Sequence, residues 1–142
     1  MAMTTDIPDA VVAELAGGAF SLPITPLRRV LPEYELADLK DLRVTVVPAA
    51  VEIEGASRTL SQHDVRIDIG IQKKLGKDLD TEVAQLCGLV EEIGEFLKRR
   101  PLQATPWAVW LRAANAPIYA ADHLAEQRAF TSVLTLTYRV LK

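Results

Sequence analysis

The stretch "HDVRIDIG", residues 63 to 70, places His63, Asp64 and Asp68 within six positions. Residues of these types build metal sites and acid–base pairs. A second dipeptide of the same kind, Asp122-His123, follows, with the two histidines 60 residues apart. Imidazole and carboxylate are ordinary metal ligands, so the two dipeptides would suit a metal site if the fold joined them. The local pattern argues against this. Val65, Ile67, Ile69 and Ile71 alternate with Asp64, Arg66, Asp68 and Gln72, which is the period of a strand. Adjacent strand residues point to opposite faces, so His63 and Asp64 cannot ligate one ion from a regular strand. Asp64, Arg66 and Asp68 do share a face. An arginine between two carboxylates reads as cross-strand pairing or solvation rather than as a general acid–base pair.

Other chemistry is thinly represented. Ser57, Ser61 and Ser132 have no histidine motif beside them, and the phosphate-loop, GxGxxG, CxxC, HExxH and GxSxG patterns are absent from the sequence. The one cysteine, Cys87, rules out an intrachain disulfide and lies in an apolar helical stretch. It reads as a small packed hydrophobe in a reducing compartment. We therefore expect no catalytic residues, no metal and no cofactor.

The net charge of −3 speaks against bulk nucleic-acid binding, which usually needs a basic face. Three small basic clusters occur: Arg28-Arg29, Lys73-Lys74 with Lys77, and Lys98 to Arg100. Their plain reading is the solvated ends of elements; the sharper one is a broken basic surface that meets a partner. No apolar run reaches the ~18 residues of a membrane span. The N-terminal stretch lacks the basic and apolar regions of a secretory signal. The expectation is a soluble cytoplasmic protein with 49% apolar and 25% charged residues in one domain, 1–142.

The elements that must position these residues can be read in order. "TTDIPDAVVAELAGG" predicts a short helix with Thr5 or Asp6 as its cap, Pro8 in its first turn and a stripe of Ile7, Val11 and Leu15. Phe20, Leu22 and Ile24 alternate among Pro23, Pro26 and Pro32, as in an edge strand or a partly paired one. A polar connection, "PEYELADLKDL", with one helical turn, follows. "LRVTVVPAA" predicts a strand with Leu42, Val44 and Val46 on one side, ended by Pro48. "VEIEGASRTLSQ" then reads as a long, mobile hairpin connection, or else "VEIE" extends the strand.

After the 63–72 strand, Leu79, Val83, Leu86, Val90, Ile93 and Leu97 recur every three or four residues, predicting a long helix over about 79–100. Asp78 and Asp80 open it, Lys98 to Arg100 end it, and Pro101 closes it. Gly94 borders its apolar arc, where it would allow close approach to the sheet, and Leu89 and Phe96 widen that arc sideways. Trp107, Val109 and Leu111 alternate with Ala108 and Trp110 in a further strand, and residues 115–124 are irregular. A final strand holds Phe130, Leu134, Leu136, Tyr138 and Val140 on one face. Strands in consecutive pairs imply a mainly antiparallel sheet of about four to five strands, with a mixed one open. The short and long helices pack on one face, giving a two-layer α+β domain.

Taken together, "PLRRVLPEYELADLKDLRVTVVPAA", "HDVRIDIGIQKKL", the amphipathic helix and "NAPIYAADHLAEQRAFTSVLTLTYRVL" resemble the tail-terminator-like minor tail proteins of tailed bacteriophages and prophages. The resemblance runs over roughly residues 5–142. It implies a non-enzymatic homo-oligomer, often a hexameric ring, that caps the tail tube and joins it to the head-side connector. Such a subunit is assembled in the bacterial host cytoplasm and resides in the virion tail, with DNA passing through the ring and no sequence-specific nucleic-acid contact. Its expected partners are further copies of itself, the tail-tube protein and the connector; no membrane is involved. Candidate interface residues are Asp64, Arg66 and Asp68 on the charged strand face, and Arg28 and Arg29 at the proline-rich edge. Glu52, Glu54 and Arg58 follow on the connection, and Trp110 joins them as an aromatic contact. The competing readings are an α+β binding or adaptor domain unrelated to phage and, further off, a small metal-dependent hydrolase.

Overall fold

The computed structural model describes residues 2–30 and 40–142. Its elements are α1 (Met3–Ala16), β1 (Pro26–Arg28), β2 (Arg43–Gly55), β3 (Ser61–Lys74), α2 (Leu79–Leu97), β4 (Val109–Ala114), α3 (Ala121–Gln127) and β5 (Ala129–Leu141). The fold is α+β: five strands in the order β1-β2-β3-β5-β4, with helices added. β1 runs parallel to β2 and every other pair is antiparallel, so the sheet is mixed.

One core forms between the sheet and the two longer helices. Val44 and Val46 of β2, Val65, Ile67, Ile69 and Ile71 of β3, and Leu134, Leu136, Tyr138 and Val140 of β5 line up in register on one face. Ile7, Ala10, Val11 and Leu15 of α1 and Leu86, Leu89, Val90, Ile93 and Leu97 of α2 close over them. The predicted stripes of both helices are thus the ones turned to the core. Leu89, read as a sideways extension of the α2 arc, is fully buried. Phe96 meets Phe20 edge to face, with ring centroids 5.2 Å apart.

Several expectations need correction. α1 begins at Met3, without a side-chain cap from Thr5 or Asp6. The Ala2 carbonyl instead accepts from the Thr5 and Asp6 amides and from the Thr5 hydroxyl. Pro8 therefore sits in the helix interior, where it cannot donate to the preceding turn. The burial of Ile7, Val11 and Leu15 outweighs that loss, because packing rather than propensity stabilises short helices.

The alternation of Phe20, Leu22 and Ile24 makes no strand; only Pro26–Arg28 pairs, at the sheet edge. Pro48 does not end β2. A bulge between Pro48 and Ala50 absorbs it and the ladder continues to Gly55, so "VEIE" extends the strand. The expected long arm shrinks to a tip at 56–60. There the Ala56 and Ser57 amides donate to the Leu60 carbonyl, and the Ser57 hydroxyl accepts from the Thr59 and Leu60 amides.

α2 stops at Leu97, three residues short of the expected end. Arg99 turns into the left-handed region at φ 56°, and Pro101 disfavours helix at the residue before it. β4 spans Val109–Ala114, so Trp107 precedes it, and a bulge lies between Trp110 and Arg112. The stretch read as irregular ends in α3. The predicted polar connection lies mostly at residues 31–39, outside the described residues, as does Pro32.

Candidate interaction surface

The candidate residues of β3 lie on the sheet face opposite α1 and α2, and register decides what each one meets. Asp64 stands directly across from Arg139 of β5, Arg66 across from Thr137, and Asp68 across from Thr135. Asp64 accepts two hydrogen bonds from the Arg139 guanidinium, 2.9 Å from Nε to Oδ1 and 3.1 Å from Nη2 to Oδ2. This fork geometry is the strong form of the carboxylate–arginine contact. The Arg139 hydrogen bonds hold the Asp64 carboxyl below its ordinary value of 3.8, against a smaller opposing effect of burial, with the charges of Arg139 and Arg112 adding to the lowering. Asp68 accepts from the Thr135 hydroxyl at 2.9 Å.

Two carboxylates that looked open in the sequence are thus satisfied within the sheet. Arg66 is different. It is exposed and makes no ion pair among the described residues.

β2 carries this face outward through its bulge. Below the bulge Thr45 and Val47 point to the outer side; above it Ala50 and Glu52 do, level with Arg66 and Asp64. Glu54 follows on the same side, opposite Gln62, and Arg58 sits in the exposed hairpin tip. The result is a ladder of acidic, basic and hydroxyl side chains, with Glu52, Asp64 and Arg139 in one row and Ala50, Arg66 and Thr137 in the next. α1 and α2 pack on the other side of the sheet. This face is not uniformly wet: Glu52 and Arg66 are exposed on it, whereas Thr45, Val47, Gln72 and Thr137 are buried.

The remaining candidates lie elsewhere. Arg28 projects from β1 to the α1 side and pairs with Asp9, clipping the edge strand to the first helix. Arg29 continues that edge, its amide donating to the Val46 carbonyl at 3.0 Å. Trp110 lies on the core face of β4, half-buried against the main cluster, while Trp107 is the more exposed tryptophan at 45%. Trp110 forms one wall of a groove of about 600 Å³ between α2 and β4, with Val90, Gly94 and Leu134, rimmed by Glu91, Glu95 and Lys98. Gly94 is not required by close approach: a Cβ there would meet Leu134 at an ordinary 3.8 Å.

The basic clusters are divided by internal pairing. Besides Arg28, Arg100 reaches Glu14 at 2.8 Å and lies 4.1 Å over the Phe96 ring, and Lys73 approaches Glu82 at 3.8 Å.

The histidines are kept apart. His63 is buried on the core face, across from Val140. His123 lies on α3 with its Nδ1 2.8 Å from the Thr131 hydroxyl, and Thr131 is paired with Gln72. His63 and Gln72 are nine residues apart along β3, roughly 30 Å at about 3.3 Å per strand residue. The two Asp/His dipeptides therefore sit near opposite ends of the sheet. Among the described residues no group of three or more His, Cys, Asp or Glu is placed to hold a metal ion. Ser132 donates to the Ile118 carbonyl at 2.7 Å and accepts from the Asn115 amide at 2.9 Å. Cys87 is partly buried; burial and then the nearby Glu91 charge push its thiol up from the ordinary value. Among the described residues no helix is long and apolar enough to cross a membrane.

The chain matches no protein-family model and no curated protein.

Proposed function

We propose that this chain is a non-enzymatic structural subunit of a phage or prophage tail, a tail-terminator-like protein. Copies of it form a ring, often hexameric in such proteins, that caps the tail tube and meets the head-side connector. The observation that carries this reading is the outer sheet face. Asp64 with Arg139, Asp68 with Thr135, and the exposed Arg66, which makes no ion pair among the described residues, form a charged surface on the side away from α1 and α2. Cross-strand partners fix the positions of Asp64 and Asp68 beside the exposed Arg66, which suits repeated contact with one partner surface better than a mobile loop does. The resemblance over residues 5–142 supplies the assembly to which the surface would belong.

Negative-stain imaging of the purified full chain, alone and with tail-tube protein, tests the proposal. Toroids seated at tube ends are the expected result. Tubes that keep growing in its presence, with no density at their tips, would contradict it.

A second reading is favoured by the groove between α2 and β4. Its apolar floor and acidic rim suit a monomeric binding or adaptor domain that takes a peptide segment. A monomer whose partner contacts map to Val90, Gly94 and Trp110, and not to Arg66, would favour that reading.

A further inference from the structure

We infer that the two edges of this sheet fit each other, so that β4 of one copy pairs antiparallel with the upper half of β2 in the next. Each edge leaves part of its backbone open. β1 covers β2 only from Val44 to Val46. From Val47 to Gly55 β2 has no strand on that side among the described residues. β4 is the opposite edge, paired among the described residues with β5 alone.

Register carried across the sheet shows where β4 lies relative to β2. Val109 is level with Arg139, Asp64 and Glu52; Arg112 with Thr137, Arg66 and Ala50; Ala114 with Thr135, Asp68 and Val47. β4 thus occupies the rows of Val47 to Glu52, and β1 stops at the row of Val46. The strand on one edge ends where the strand on the other edge begins.

Direction and facing agree. β2 and β5 run the same way and β4 runs against both. A second copy related by rotation about an axis along the strands therefore presents its β2 antiparallel to the first copy's β4, with core faces on the same side. Without a shift along that axis, Arg112 falls beside Ala50 and diagonal to Glu52 on the outer face, within cross-strand reach of an opposite charge. On the core face Trp110 falls beside Val51. The large apolar side chains that stay exposed at the two edges, Ile53 at 63% on one and Trp107 at 45% and Val109 at 63% on the other, come to nearly the same height. Pro48 donates no hydrogen bond, which leaves the backbone ladder to Ala50 and the residues above it. A contact between two different edges is heterologous and repeats from copy to copy, and it closes into a ring when the rotation does. The occupant of each edge is a second copy of this chain.

The edge pairing deepens the ring reading and rests on it, and the two fail differently. Two full-length proteins are prepared with Cys87 replaced by alanine, one carrying Ala50→Cys and the other Arg112→Cys. They are assembled alone and mixed, then oxidised. A covalent dimer that forms in the mixture and in neither single protein is the expected result. Charge exchange gives a second check: Arg112→Glu should abolish the oligomer, and adding Glu52→Lys should restore it. Oligomers of wild-type size that yield no mixed disulfide would overturn the edge pairing and leave the ring standing. So would a disulfide in one single protein, which signals an isologous contact. A chain that stays monomeric at every concentration and with tube protein would overturn the ring, and the edge pairing with it.

Discussion

Asp64 was legible as a charged residue on a strand face, but not as one half of a fork with Arg139, 75 residues away. Only the register of β3 against β5 could show that. The pairing has a pH signature. Because the folded carboxyl is held below 3.8, its stabilising contribution is full above the ordinary aspartate value and is lost as pH falls through the lowered folded value. Asp64→Asn should therefore be less stable than wild type at neutral pH, and the gap should close in acid. Denaturant titrations from pH 7 to pH 2 would show it. The same contact makes Asp64 a poor site for probing assembly, because reversing its charge would set two cations against each other. Arg66 is the cleaner probe. Arg66→Ala should change folding stability by no more than about 0.5 kcal/mol while weakening assembly.

Two glycines separate at this scale. A Cβ at Gly88 meets nothing within 4 Å, so Gly88→Ala should stabilise α2 by about 1 kcal/mol. A Cβ at Gly18 would lie 2.8 Å from the Phe20 ring and 3.0 Å from Phe96. Gly18→Ala should cost roughly 1–3 kcal/mol by overpacking that aromatic pair. Thermal unfolding of the two variants should move in opposite directions.

At the scale of elements, the sequence was most readable where one hydrophobic period ran unbroken. β3, β5 and the apolar stripes of α1 and α2 turn to the core as their spacing requires, because burying a repeating apolar face outweighs local preference in placing such elements. Reading failed where geometry changed within an element. In β2 the apolar residues shift from even positions, Val44 and Val46, to odd ones, Val51 and Ile53. That change of phase is the mark of an inserted residue, and the bulge at Pro48/Ala50 is its structural form. Attending to the phase rather than to the proline would have found the full strand.

The bulge can be tested. Deleting Ala49, the one residue of β2 left out of the ladder, should restore a single phase, keep Val51 on the core face and Glu52 outward, and preserve amide-exchange protection from 43 to 55. Loss of protection from residues 50–55 in that variant would contradict this origin of the bulge. The candidate surface was only half legible. Its β3 residues share a face as alternation demands, whereas Arg139, Thr135 and Thr137 were visible only as the far side of another strand. Trp110 was chosen as an aromatic contact and Arg28 for its place at the proline-rich edge; Arg28 lies in the edge strand, and both side chains turn to the helix side.

Among the described residues the sheet carries α1 and α2 on one side, a polar ladder of β2, β3 and β5 side chains on the other, with α3 touching that side at Thr131, and two unlike edges whose open rows match. These features suit a subunit that meets copies of itself and one further partner. The most direct test is the mass of the full chain in solution across a wide concentration series, alone and with tail-tube protein. A single closed oligomer, forming with concentration or on adding tube protein, is the expected result. A monodisperse monomer throughout, unchanged by tube protein, would contradict it.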